Sequence, residues 1–203
     1  MKKYLERSMK FEEYIGLIDK LLSEGKTTGP NQSDAMLGYG QINRRRMSRL
    51  DRTISVSAEL KAAAKQVSRS MLWLVITEGW CGDAAQNIPA IEKIAAESEK
   101  IETRYVLRDE NLELIDRFLT NGARAIPKLI ALDAETFEVL GFWGARPAAA
   151  QKLFDDLKAQ GVAKPLIMEN LQRWYNADAQ TSIQKEFVEL LKLWSVRATA
   201  AAS

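Results

Sequence analysis

The chain has 203 residues, 46% of them hydrophobic and 28% charged, with a formal net charge of +2. That balance excludes a disordered or fibrous chain, and so small a charge gives no reason to expect a polyanionic partner. One cysteine and no histidine exclude an intramolecular disulfide, Ser-His-Asp and Cys-His catalytic pairs and histidine-ligated zinc.

The first 25 residues carry a helical stripe, with Phe11, Tyr14, Ile15, Ile18, Leu21 and Leu22 at three- and four-residue steps and Gly25 closing it. Lys26–Ser33 is a run of turn formers. A second helix is expected from about Asp34 to Asp51, with Met36, Tyr39, Met47 and Leu50 as apolar positions, and a third from near Ser57 through Leu60, Ala64 and Val67. The pattern then changes. Leu72–Ile76 is a continuous apolar run, as expected of a strand buried on both faces. Ile88, Ile91, Ile94 and Ala95 mark a helix, and Ile101 to Leu107 alternates as a strand does. Leu112, Ile115, Phe118 and Leu119 form another helical stripe closed by Asn121-Gly122. Leu129 to Leu132 and Phe137 to Trp143 read as a hairpin around Asp133–Thr136. Arg146-Pro147 opens a helix through Leu153, Phe154 and Leu157. Two more helices follow Gly161, the clearer carrying Ile183, Phe187, Leu190, Leu191 and Trp194. The small-residue tail, Ala198 to Ser203, is expected to fray.

This order predicts an α/β fold, a central mixed sheet flanked by helices. Its first two strands should be parallel across a helical crossover and its last two antiparallel. Three stretches are expected: an N-terminal helical extension over 1–56, the sheet domain over 57–161, and a C-terminal helical extension over 162–203. The charged start, Met1 to Arg7, argues against a secretory signal, and no apolar stretch nears the ~20 residues that span a bilayer. A cytoplasmic location is the expectation, with no membrane partner. Neither common phosphate-cradling glycine motif occurs, and a metal site would need carboxylates or a partner chain; no cofactor and no metal are expected.

Chemistry concentrates at Trp80-Cys81-Gly82-Asp83-Ala84, where the first central strand ends and the next helix begins. Reacting groups gather at the carboxyl ends of strands in open α/β sheets. A thiol at a helix start meets free N–H groups and the positive end of the helix dipole, which favour the thiolate and can bring its pKa from about 8.5 into the range of roughly 3.5–7.5. Asp83 works against this. Two like charges 4 Å apart repel by about 1 kcal/mol in water and about 4 at an effective dielectric of 20.

These residues resemble the Trp-Cys-Gly-x-Cys motif that thioredoxins place at the same junction. Pro89 stands eight residues after the cysteine, at the spacing of the thioredoxin helix proline, although an interior helical proline costs about 3 kcal/mol. Ile126-Pro127, ahead of the third strand, is similar to the thioredoxin Ile-Pro whose cis peptide faces the active site and contacts substrate backbone. Gly141 or Gly144 corresponds to the glycine of the closing hairpin. The resemblance covers roughly Ala58 to Gly161, and the flanking helices resemble a group of bacterial thioredoxin-family proteins. It implies a thioredoxin-like fold, Cys81 as catalytic thiol, and Trp80, Gly82, Asp83, Ile126 and Pro127 as substrate-binding residues. There are two departures. Ala84 occupies the place of the resolving cysteine, and Val75, six residues before Cys81, that of a buried aspartate. Ordinary dithiol reductase activity is therefore not expected. The resemblance points to a monothiol redox protein that exchanges with protein thiols or disulfides and uses an external, low-molecular-weight thiol to resolve. The alternatives are a non-catalytic module binding a peptide or protein along Trp80 and Pro127, and an iron–sulfur-bridged dimer, whose motif the residues after Gly82 do not match.

Blander readings stand beside these. Cys81 can be an idle buried thiol, Trp80 core packing, and Pro127 a loop-shaping residue first. Arg44-Arg45-Arg46, with Arg49 and Arg52, reads as a solvated or ion-paired helix face. It lacks the interleaved aromatics of a nucleic-acid site, so no nucleic acid is expected.

Overall fold

The computed structural model describes residues 1–195; the tail from Ala198 to Ser203 lies outside the described residues. Among those described, the order is α1 (Lys2–Leu5), α2 (Phe11–Ser23), α3 (Asp34–Thr53), α4 (Ala58–Lys65), β1 (Met71–Thr77), α5 (Gly82–Ala95), β2 (Ile101–Leu107), α6 (Leu112–Ile115), β3 (Lys128–Asp133), β4 (Val139–Trp143), α7 (Ala148–Ala159), α8 (Lys164–Asp178) and α9 (Thr181–Ser195).

The sheet runs β2-β1-β3-β4. β1 pairs with β2 in parallel and with β3 antiparallel, and β3 pairs with β4 antiparallel. The parallel pair needs a crossover, which α5 supplies, and the antiparallel pair needs only the turn after Asp133. β1 is central, and its apolar run is buried on both faces, with Trp73, Leu74, Val75 and Ile76 all inaccessible. This is a thioredoxin-like α/β fold, a mixed sheet flanked by helices with further helices at both ends.

Those end helices share the sheet's core. Tyr14 and Ile18 of α2, Met47 of α3, and Ile183, Phe187, Leu191 and Trp194 of α9 belong to the same buried cluster as Trp73 and Ile88. Tyr14 stacks on Tyr105 of β2 at 5.2 Å, and Trp194 meets Trp73 edge-on at 6.0 Å. Each such aromatic pair adds about 0.5–1.5 kcal/mol beyond area burial. A smaller cluster joins Ala150 of α7 to Ile167 and Leu171 of α8.

Three local expectations need correction. The stripe from Phe11 to Leu22 is the single helix α2, and the residues before it are not part of it: they form the short α1 and then Met9, which exchanges backbone hydrogen bonds with Tyr105 of β2. The stripe from Leu112 is helical only to Ile115, after which the chain turns through Phe118. Phe137 does not begin the last strand. It sits in the turn at φ 59°, and β4 starts at Val139.

Candidate functional site

The end of β1 and the start of α5 set the site. Cys81 is the N-cap of α5, with φ −80° and ψ 119°. Its Sγ accepts from the Ala84 N–H at 3.5 Å and its thiol donates to the Ile126 carbonyl at 3.2 Å. The Ile126–Pro127 peptide is cis. Pro89 lies inside α5, buried with Ile88 and Ala90. Gly144, in the loop after β4, closes the other side of this segment. A Cβ there would fall 2.2 Å from the Pro127 carbonyl oxygen, and its φ of +111° suits glycine alone. Gly141 faces Trp194 instead, so of the two candidate glycines Gly144 is the one beside Pro127.

The thiol is shielded. Cys81 is 8% exposed, and burial pushes its thiol up, from 9.0 to about 12, with Asp83 adding to the rise. The N–H groups of Ala84 and Asp83 and the Arg146 guanidinium pull the other way without prevailing. The helix start favours the thiolate, as the sequence suggests, but its surroundings outweigh it. Desolvation of a charge removed from water exceeds the helix-terminal contribution, about 0.3–1 kcal/mol for an exposed charge.

Asp83 is engaged elsewhere. Its Oδ2 accepts from Arg146 Nε at 3.1 Å and from Arg146 Nη2, and its Oδ1 accepts from the Tyr175 hydroxyl at 2.8 Å. Asn87, one turn along α5, donates to that hydroxyl at 3.1 Å. Arg146 lies over the Phe154 ring at 4.4 Å. The side chains of Arg146 and Asp83 are only 8% and 11% exposed. Burial lowers the Arg146 guanidinium pKa, but Asp83 more than offsets this and holds it above its usual range.

Trp80 is half-buried and lies beneath the Arg108 guanidinium, 4.8 Å from its ring centre. Gly29 of the α2–α3 loop passes close to the Trp80 Nε1. Gly82 is exposed. Ile126 is buried; its carbonyl is the Cys81 partner. Around Cys81 the fold therefore gathers Gly82 and Ile126-Pro127, while Trp80 borders the α2–α3 loop and Asp83 faces Arg146 and Tyr175.

Sequence reasoning missed several residues here. Arg146 pairs with the Asp83 carboxylate from 63 positions away, Tyr175 donates to it from 92, and Asn87, 4 positions on, donates to the Asp83 backbone carbonyl; only the Arg146-Pro147 helix start hinted at any of them. Glu78, three residues before the cysteine, is fully buried. Its Oε1 accepts from the Asp109 N–H at 2.9 Å and its Oε2 has no hydrogen-bond partner among the described residues, while burial raises its carboxyl pKa. It does not stand in for the aspartate missing at Val75, since its carboxylate engages Asp109 rather than the thiol. Lys128, directly after Pro127, is 1% exposed, and its ammonium donates to Thr120 Oγ1 at 2.6 Å and the Gly144 carbonyl at 2.8 Å. Burial lowers its pKa from 10.5 to about 8.

A cysteine capping the helix after the first central strand, opposed by a cis Xaa-Pro ahead of the next, defines a thioredoxin-like protein. The family model described as thioredoxin matches residues 29–158, and the chain belongs to that family. Among solved structures it is similar to a protein of unknown function from Pseudomonas aeruginosa, at 18% identity and a TM-score of 0.60, over 93% of this chain and 94% of that one. It is also similar to an HIV epitope scaffold, at 19% identity and a TM-score of 0.56, over 91% and 98% of the two chains. At such identities the likeness is one of fold. No curated protein matches. No helix among the described residues is long and apolar enough to cross a membrane.

Proposed function

We propose that the chain is a thioredoxin-family monothiol redox protein in which Cys81 exchanges with a protein disulfide. The observation that carries this reading is the placement of the Cys81 thiol, 3.2 Å from the Ile126 carbonyl of the cis Ile126–Pro127 segment and capping α5. Cys81 attacks one sulfur of the partner disulfide. A mixed disulfide forms, and the other sulfur leaves with the proton that Cys81 gives up. A low-molecular-weight thiol then attacks the partner's sulfur or that of Cys81, and a second one completes release, leaving a reduced partner, free Cys81 and an oxidised small disulfide. Two small thiols are consumed per partner disulfide, because Ala84 offers no resolving thiol.

Burial gives the resting thiol a guard. The neutral form predominates at neutral pH, so Cys81 reacts slowly with incidental electrophiles and gains reactivity when a partner docks over Gly82 and Pro127. Ile126 and Pro127 align the partner backbone, Gly82 leaves room for its approach, and Trp80 borders the contact. Asp83 positions the start of α5 through Arg146 and Tyr175.

The reading is tested by glutathione-coupled reduction of a small peptide disulfide. Turnover that vanishes in Cys81→Ser supports it. Equal turnover by wild type and Cys81→Ser would overturn it, as would none by either. The latter would leave a binding module.

A further inference from the structure

The exchange chemistry says nothing about which proteins are chosen, but α3 does. This helix passes alongside the site: Asn43 donates to the Gly79 carbonyl at 3.3 Å, and Arg46 Nη1 lies 3.9 Å from where a Cβ on Gly82 would stand. Tyr39, Ile42, Arg46 and Arg49 follow one another at steps of three, four and three, so they share one face of the helix. Tyr39 is 54% and Ile42 47% exposed, and Arg49 is exposed beyond them.

The charge of this face is unspent. Arg44 pairs with Asp19 at 2.7 and 2.9 Å and Arg52 reaches Ser48. Arg46 donates only to the neutral Asn43 side chain, at 2.8 Å. Among the described residues, no carboxylate lies within ion-pair distance of Arg45, Arg46 or Arg49. Burial and then the neighbouring Arg49 hold the Arg46 guanidinium below its ordinary range, with Asp83 opposing them without prevailing, and an incoming anion would relieve it. The contrast with Arg146, closed on Asp83, is direct.

We infer that this face of α3 is the partner-selecting rim of Cys81, and that it receives a polypeptide whose exchanging cysteine is flanked by acidic and apolar side chains. The inference rests on the exchange reading above. A low-molecular-weight thiol does not account for the surface, because Tyr39 to Arg49 extends for about 15 Å along the helix. An extended segment of five residues covers that length. Two exposed apolar side chains at one end and unpaired arginines at the other suit a mixed acidic and apolar segment, and the charge complementarity would speed encounter.

The test uses three peptides of one length, each with one cysteine carried as a thionitrobenzoate mixed disulfide, flanked by glutamate, serine or lysine beside leucine. Release of thionitrobenzoate by the folded protein is followed at low and high salt. The expected result is exchange about tenfold faster with the glutamate than the lysine peptide at low salt, with the gap closing at high salt. Arg49→Glu should narrow the gap and Arg46→Glu/Arg49→Glu invert it. Circular dichroism checks that the double variant folds; if it does not, Arg49→Glu and the salt dependence carry the test. Equal rates for all three peptides would overturn the inference while leaving the exchange reading intact. If no peptide exchanges, the exchange reading fails. Anisotropy with serine-for-cysteine peptides on Cys81→Ser protein then decides: tighter glutamate binding keeps the rim, and equal binding removes it. Preference for a single-stranded oligonucleotide over the glutamate peptide would also overturn the inference.

Discussion

The helices α3 and α8 both reach the start of α5, and they treat charge in opposite ways. From α8, Tyr175 donates to Asp83, which Arg146 also holds, and Asn87 and Gln86 extend the network to Tyr175 and Gln172. There the charges of Asp83 and Arg146 answer each other inside the fold. From α3, Arg46 and Arg49 bring positive charge near Gly82 with no carboxylate of the described residues in ion-pair distance; Arg46 donates to Asn43 and feels Asp83 only from farther off. A closed network of buried partners is what a fold uses to fix geometry, since removing one member strands the others. Unanswered charge at the rim of a reactive group is what recognition uses, since its partner arrives from outside.

Breaking the closed side should have the largest effect. Arg146→Met keeps the stem over Phe154 but strands the Asp83 carboxylate, and is expected to cost about 3–5 kcal/mol in urea unfolding. Asp83→Asn in the same chain should recover most of that, because the uncompensated charge goes with it. Tyr175→Phe removes one hydrogen bond to a charged acceptor and should cost about 1.5–3 kcal/mol. The thiol itself sets a pH signature. Because the folded pKa is raised, the folded state keeps its proton while the unfolded chain loses it. The stability of wild type relative to Cys81→Ser should then be constant below pH 9 and fall by about 1.4 kcal/mol per unit between about 9 and 12. Unfolding at pH 8 and pH 10 measures it. On the open side, Arg49→Glu should alter stability by less than about 0.5 kcal/mol, its effect appearing in partner selection instead. A stability loss as large as that of Tyr175→Phe would show that the α3 face is structural too.

Much of this architecture was legible in the residues. The unbroken apolar run of Leu72–Ile76 specified a doubly buried strand, and Trp80-Cys81-Gly82, Pro89 and Ile126-Pro127 located the thiol and the segment facing it. Boundaries were lost where tertiary pairing prevailed over periodicity, as at Met9, which Tyr105 draws into a bridge, and at Phe137, held in a turn. The electrostatics were legible only in part. A helix start next to a thiol can be read from sequence, but its dipole is a local effect, whereas burial of Cys81 depends on how β3 and the loop after β4 close around it. The partners of Asp83 were invisible because Arg146 and Tyr175 come from elements 63 and 92 residues on. The arginine run read as a paired or solvated face. Arg44 and its Asp19 fit that reading, and Arg46, turned toward Gly82, does not.

The central claim, that the shielded Cys81 exchanges with a protein disulfide, is tested most directly by mass spectrometry of the folded protein incubated with excess peptide disulfide at pH 7. The account predicts a single adduct on Cys81 whose rate saturates with peptide concentration, formed far faster than iodoacetamide alkylates the same thiol. No adduct until denaturant is added would contradict it.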